Sequence, residues 1–237
     1  MYELSRQLSC DAVRRLITSL PSSQTAKPMS DNSQTPPAIR IWDERFSTDE
    51  YVYGTAPNDF LVRVADQLPG QSRILAIADG EGRNGVWLAK QGHNVHSVDG
   101  SRIALEKARA LAQQAEVSIE LEQADLLHWR WPKSQYDAVV AIFIQFAGPE
   151  ARRRLFENAI SSLKPGGLFM LQGYRTEQLA YGTGGPPQEE NLYTEQLLKS
   201  ELSGLDVLVL RAHDSVISEG MGHSGMSALI DYVGRKP

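Results

Sequence analysis

The chain has 237 residues, 24 Lys and Arg against 29 Asp and Glu, a net charge of -5 and 41% hydrophobic residues. That is room for one α/β domain with a real core, and the acidic balance argues against a nonspecific nucleic-acid binder, which needs a basic footprint. The single cysteine, Cys10, excludes a disulfide framework and a cysteine-cluster metal site, and no stretch approaches the roughly 20 apolar residues of a membrane span. A reducing cytoplasm, no membrane and no resident metal are the expectations that follow.

The first forty residues differ from the rest. LSRQLSCDAVRRLITSL has the spacing of a short amphipathic helix, with Leu8, Val13, Leu16, Ile17 and Leu20 on one side. PSSQTAKPMSDNSQTPP follows, and such a composition buries too little apolar surface to offset ordering. Residues 1–38 are therefore expected to be a disordered extension, and 39–237 the folded domain. The start lacks the continuous apolar core of a secretory signal. Its Arg and Ser content suits an organelle transit peptide, but Glu3 and Asp11 speak against one. Met29 is an alternative initiator.

From Ile39 the pattern is dense. Four aromatics precede a helix over about Asn58 to Gln67, and strand one covers about Arg73 to Ala78. A helix over Asn84 to Gln91 stops at Gly92. Strand two runs over Asn94 to Asp99. Ser101 caps a helix whose Ala104, Ala108, Leu111 and Ala115 share a face. Strand three is SIELEQ. Strand four, YDAVVAIFI, is apolar throughout, as a strand covered on both faces should be. Gly148, Pro149 and Glu150 open a helix with apolar positions Ala151, Leu155, Ala159 and Leu163, and KPGG closes it. LFMLQGY is strand five. A glycine- and proline-rich loop leads to a short helix near Thr194 to Glu201, and DVLVLRAH and MSALIDYVGR are the last strands. Strands alternating with helices predict an α/β, Rossmann-like doubly wound sheet.

ILAIADGEGRNGVWLAKQGHNVHSVDGS carries the chemistry. Gly80, Gly82 and Gly85 fit G-x-G-x-x-G, after a strand and opening a helix, and Asp99 ends the next strand where an acid can take both ribose hydroxyls. That layout suits a nicotinamide or flavin dinucleotide and S-adenosylmethionine alike. The loop charges favour the second. A dinucleotide lays an anionic pyrophosphate against the turn and helix N-terminus, which Asp79 and Glu81 would oppose. S-adenosylmethionine brings an ammonium, a carboxylate and a sulfonium, a net cation.

WDERF, YVYGTAPNDFL, LAIADGEGRNGVWLAKQGHNVHSVDGS, QADL, YDAVVAIF, LKPGG and EGMGHSG together resemble the class I S-adenosylmethionine-dependent methyltransferases. The narrower likeness is to the small-molecule branch of tellurite-resistance and thiopurine S-methyltransferase-like enzymes. The resemblance covers about Ile39 to Pro237. It implies a seven-stranded sheet, mostly parallel with an antiparallel last strand, and S-adenosyl-L-methionine as cofactor. It implies Gly80, Gly82 and Asn84 at the methionine portion, with Ala78 among the cofactor contacts. Asp99 would take the ribose, with Ser101 behind it, and Asp125 and Leu126 would lie at the adenine. Ile142 and Phe143 would border the methyl group, and Trp42, Tyr53 and Gly54 would close over the cofactor. One position departs from the pattern: many class I enzymes carry an acid within strand one, where this chain has Ala76.

On the acceptor side Tyr174 and Tyr181 are candidate pocket walls, and Glu219 and His223 candidate acid–base groups. Their alternatives are ordinary loop packing and a solvated hairpin. Arg83 either binds an anionic substrate or pairs with Glu81, and the pairing is favoured. His93 and His96 read as surface residues, His128 with Trp129 and Trp131 as a surface ladder, and Arg152-Arg153-Arg154 as a solvated helix face. The leading reading is methyl transfer to a small molecule at sulfur or another chalcogen, by a monomer or homodimer acting without nucleic acid. The alternatives are a nicotinamide-dependent oxidoreductase and a non-catalytic S-adenosylmethionine-binding protein.

Overall fold

A computed structural model describes residues 36–237. The expected N-terminal helix, the disordered extension up to residue 35 and the Met29 start lie outside the described residues. The domain boundary expected at residue 39 falls inside a helix, α1 (Pro37–Phe46), which Pro37 opens from its first turn. This helix is absent from the sequence reading because only Phe46 of its ten residues is buried, so no apolar stripe marks it.

The elements then follow as α2 (Asp59–Val64), a 3-10 turn at Ala65–Gln67, β1 (Arg73–Ile77), α3 (Arg83–Lys90), β2 (Asn94–Asp99) and α4 (Arg102–Gln114). Next come β3 (Glu120–Gln123), β4 (Tyr136–Ile142), α5 (Pro149–Ser162) and β5 (Leu163–Tyr174). The chain ends with α6 (Gln178–Tyr181), a 3-10 turn at Glu189–Asn191, α7 (Glu195–Glu201), β6 (Asp206–Glu219) and β7 (His223–Arg235). The strand order is β3-β2-β1-β4-β5-β7-β6. Neighbours pair parallel from β3 to β5, and β7 is antiparallel to both β5 and β6. This is the seven-stranded α/β sheet expected, with a switch point between β1 and β4 where ligands of such sheets bind.

The period-two alternation of the central strands fills a core on each face. Leu75, Ile77, Val139, Ala141, Phe169 and Leu171 point to one side, where Leu155, Phe156 and Ala159 of α5 meet them. Ile74, Ala76, Ala138, Val140, Leu168 and Met170 point to the other, against Phe60 and Leu61 of α2 and Leu88 of α3. Helix starts are capped as the sequence directs: the side chains of Asn58, Ser101 and Thr194 each accept an N–H from three residues on, at 3.1 Å. Each such cap is worth about 1 kcal/mol. The KPGG segment does not stand between helix and strand, since α5 stops at Ser162 and β5 takes in Leu163 onward.

Two polar residues expected at the surface are buried. His96 is 6% exposed; its Nδ1 lies 2.7 Å from the Tyr136 hydroxyl and its Nε2 3.0 Å from Glu122. It sits within β2, which is flanked by β1 and β3, so its strand neighbours cover it. Arg152 is 4% exposed and donates to both Glu201 oxygens at 2.9 and 3.0 Å and to the Glu190 carbonyl at 2.6 Å. It ties α5 to α7, while Arg153 and Arg154 are exposed as expected. Among the described residues no helix is long and apolar enough to cross a membrane.

Candidate active site

The site is built at the carboxyl edge of β1, β2 and β4. After β1 the chain turns sharply, with Ala78, Gly80 and Gly82 at φ of 48°, 58° and 85°. Gly82 is glycine for two reasons: the positive φ, and a Cβ there would stand 2.7 Å from that of Ala108 in α4. At the end of β2 the Asp99 carboxylate accepts the Gly80 N–H on one oxygen and the Ser101 N–H on the other, both at 2.8 Å. Burial pushes this carboxyl up to about 6, against the pull of its N–H donors. Ser101 caps α4 and donates through Oγ to Asp43 of α1 at 2.6 Å, which fastens α1 over the turn. The Phe46 ring covers Gly80, 3.5 Å from where its Cβ would be.

The two loop acids are structural. Asp79 turns inward, accepting from the Ser97 hydroxyl at 2.9 Å and the Gly85 N–H at 3.2 Å, and burial raises it to about 7. Glu81 is 3% exposed and pairs with Lys107 of α4 at 2.5 Å. Neither acid is free for a cofactor, so loop charge discriminates between cofactors less than expected. The expected Arg83–Glu81 pair is absent for the same reason: Lys107 has taken Glu81, and Arg83 reaches the other way.

Arg83 donates to Glu219 at 2.6 Å, with both side chains under 10% exposed. Glu219 ends β6, and the tip between β6 and β7 folds back so that the Gly222 N–H donates to the Val52 carbonyl at 3.2 Å. Asn58 adds a second donor to Glu219 at 2.9 Å and bonds Gln172 at 2.7 Å. Burial raises the Glu219 pKa, but His223 and Arg83 outweigh it and hold the carboxyl at about 2. His223 opens β7 and packs against Phe143 at 4.3 Å, Tyr53 at 4.4 Å and Tyr174 at 5.6 Å between ring centroids. Burial lowers the pKa of this imidazole more than Glu219 raises it, so it is neutral near pH 7. Phe143, at φ 55°, follows the end of β4 directly.

Most sequence-derived candidates meet here. Ala78, Gly80, Gly82, Asp99 and Ser101 form the turn; Asn84 accepts the Asn58 N–H at 2.9 Å. Trp42 stacks on Phe46 at 5.9 Å, and Tyr53 and Gly54 lie in the segment under the hairpin tip. Leu126 is buried and Ile142 ends β4, while Asp125 is bound by the Leu127 N–H at 3.0 Å and by exposed His128 at 2.7 Å. Tyr181 does not join them. It is 39% exposed and donates to Asp214 on the outer face of β6, because α6 turns it away from the cluster. Glu219 and His223 are buried, not a solvated hairpin. Asn58, Asp43 and Gln172 were missed, although a Gln within the apolar run LFMLQGY is a legible sign of a buried polar partner.

Residues 74–167 match a family described as "Methyltransferase domain". Over those residues the chain carries a methyltransferase domain. The chain is 28% identical over 137 residues to a glycine/sarcosine N-methyltransferase of Halorhodospira halochloris, covering 55% of the chain and about half, 49%, of that relative. It is 26% identical over 205 residues to the enzyme of the same name from Aphanothece halophytica, covering 83% and 75%. Two solved structures share the methyltransferase fold. TehB from Haemophilus influenzae has a TM-score of 0.63 at 16% identity, covering 84% of this chain and 67% of that one. The N-methyltransferase NodS from Bradyrhizobium japonicum, in complex with S-adenosyl-L-homocysteine, has 0.63 at 14% identity, covering 85% and 100%.

Proposed function

We propose that this chain transfers the methyl group of S-adenosylmethionine to a small-molecule acceptor, and that residues 36–237 act as one catalytic unit. The observation that carries the reading is the meeting of two built half-sites at one sheet edge. One is the Asp99-held glycine turn; the other is an aromatic enclosure around a buried neutral imidazole. The residues fit the cofactor. Each Asp99 oxygen holds one N–H and keeps a lone pair for a ribose hydroxyl. Gly80 and Gly82 would lie at the methionine portion, with Ala78 and Asn84 beside them. Asp125 and Leu126 would flank the adenine. Trp42, Tyr53 and Gly54 would cover the cofactor, and Ile142 and Phe143 would border the transferred carbon.

The cofactor supplies an activated methyl on sulfonium. Ile142 and Phe143 would keep water from the carbon that an acceptor lone pair would take, in line with the departing thioether sulfur. Alignment of the reactants is the main task of the protein, worth roughly 7–11 kcal/mol in effective-molarity terms. His223, neutral and oriented beside Glu219, accepts the proton an S–H or N–H acceptor must lose. Arg83 acts through Glu219, holding the hairpin tip that carries His223.

A thiol or chalcogen oxyanion is the favoured acceptor, since a soft nucleophile needs little beyond alignment. The tellurite-resistance likeness supports the same class. A nitrogen acceptor is the second reading, supported by the names of the glycine/sarcosine N-methyltransferase relatives. Calorimetric titration with S-adenosylmethionine and with NADH, followed by release of S-adenosylhomocysteine in the presence of thiols, selenite, tellurite, glycine and sarcosine, tests both. Binding of NADH alone would end the methyltransferase reading, and cofactor binding without turnover of any acceptor would leave a binding protein.

A further inference from the structure

Tyr174 is 1% exposed, and its hydroxyl makes no well-formed hydrogen bond among the described residues, the Ser227 hydroxyl being the one side chain near enough to contact it weakly. A buried donor left unpaired is uncommon and calls for a cause. Two other buried hydroxyls, of Tyr193 and Tyr232, are also unpaired, but both residues lie within the main apolar core. Tyr174 is different. It ends β5 at the carboxyl edge, its ring 4.7 Å from that of Phe143. His223 Nδ1 has only a long contact, 3.7 Å, to Glu219. Two weakly partnered polar groups therefore flank one enclosure.

The surroundings hold the tyrosine firmly. Gln145 accepts the Tyr174 N–H at 2.6 Å and donates to its carbonyl at 2.9 Å. Two positions of the loop above it, Gly184 and Gly185, favour glycine. A Cβ on Gly184 would stand 2.8 Å from the hydroxyl and 3.5 Å from the His223 ring edge, and one on Gly185 would stand 2.9 Å from the Tyr174 ring. A rigid backbone, a close roof of glycines and a donor without a well-formed bond are what a preorganised binding group requires.

Building on the methyltransferase reading, we infer that the Tyr174 hydroxyl, beside His223, is the donor that holds a lone-pair-bearing oxygen or sulfur of the methyl acceptor at the end of β4. The acceptor class is then a small molecule with a compact hydrogen-bond-accepting group: a carboxylate, a chalcogen oxyanion or a thiolate. Burial raises the pKa of this phenol, so it stays protonated and donates throughout the working range. Tyr174 positions the acceptor and transfers no proton.

Tyr174→Phe removes the hydroxyl alone. The hydroxyl makes no well-formed hydrogen bond in the free protein, so the variant should unfold close to the wild-type temperature, and should bind S-adenosylmethionine with unchanged affinity. Its kcat/KM for the acceptor should fall about tenfold or more, mainly through KM, as expected when a site loses one hydrogen bond to its ligand. The probes are glycine, sarcosine, selenite, tellurite and 2-mercaptoethanol, which separate the oxygen and sulfur sources. A lower unfolding temperature for Tyr174→Phe would show a structural partner and overturn the inference, as would an unchanged kcat/KM. Wild-type binding of S-adenosylmethionine with no turnover of any probe would overturn the acceptor class. Failure of the wild type to bind S-adenosylmethionine at all would instead end the methyltransferase reading.

Discussion

The cofactor half of the candidate site is drawn mainly from residues 78–101, one strand-turn-helix-strand unit, whereas the acceptor half joins residues near 53, 58, 83, 143, 174, 219 and 223. The first is fixed by local rules: glycines where φ is positive, an acid at a strand end, a serine cap. The second exists only because the β6–β7 hairpin folds back onto the segment before β1. Its stability therefore rests on a few buried polar contacts, chiefly Arg83 to Glu219 and Asn58 to Glu219. The local half should tolerate damage to the hairpin, and the assembled half should not.

The largest expected effect comes from breaking the assembled half at its charge pair. Arg83→Met leaves Glu219 buried without its cation, and losing one partner of such a pair costs about 3–5 kcal/mol. Adding Glu219→Gln should restore most of that loss, measured by urea unfolding; additive losses would mean that the pair is not coupled. Asp99→Ala strikes the local half. It removes the ribose acceptor and orphans two buried N–H groups, and should weaken S-adenosylmethionine binding by about 100-fold in calorimetry, or about 2.7 kcal/mol. Tight binding by this variant would move the ribose site elsewhere.

His223→Phe sharpens the contrast, since it keeps an aromatic ring in the enclosure. The kcat for an S–H or N–H acceptor should drop by about 100-fold while cofactor affinity is retained, the range for loss of one acid–base group. An acceptor that reacts through a lone pair without losing a proton, such as selenite at selenium, should be less affected.

The smallest effect concerns Asp79. Its folded pKa of about 7 lies above the unfolded value near 3.8, so the protonated form is the one the fold prefers. Its stabilising contribution is full below pH 3.8, is lost as pH rises towards 7, and is constant above. Asp79→Asn keeps both acceptor contacts through the amide oxygen and removes the charge. It should flatten the pH–stability curve between about 4 and 7 and raise stability at pH 8 by about 1–3 kcal/mol. Glu219 runs the other way: its pKa of about 2 lies below the usual 4.5, so its contribution is lost as pH falls from 4.5 to 2.

The sequence by itself determined the strand–turn–helix–strand unit around Gly80, Gly82 and Asp99, the buried β4 and the cap at Ser101. These depend on backbone geometry and periodicity, which neighbours in the chain set. It also marked Glu219 and His223 as polar groups in a glycine-rich tip. Their surroundings were decided by the tertiary fold. Whether Arg83 meets Glu81 or Glu219 depends on Lys107, a residue of another helix that reaches Glu81 first. Whether Tyr181 lines a pocket depends on the turn of α6, and whether His96 and Arg152 are buried depends on the strand and helix laid beside them. A side chain's partner across the chain is set by which elements pack together, and spacing along one segment carries no record of that.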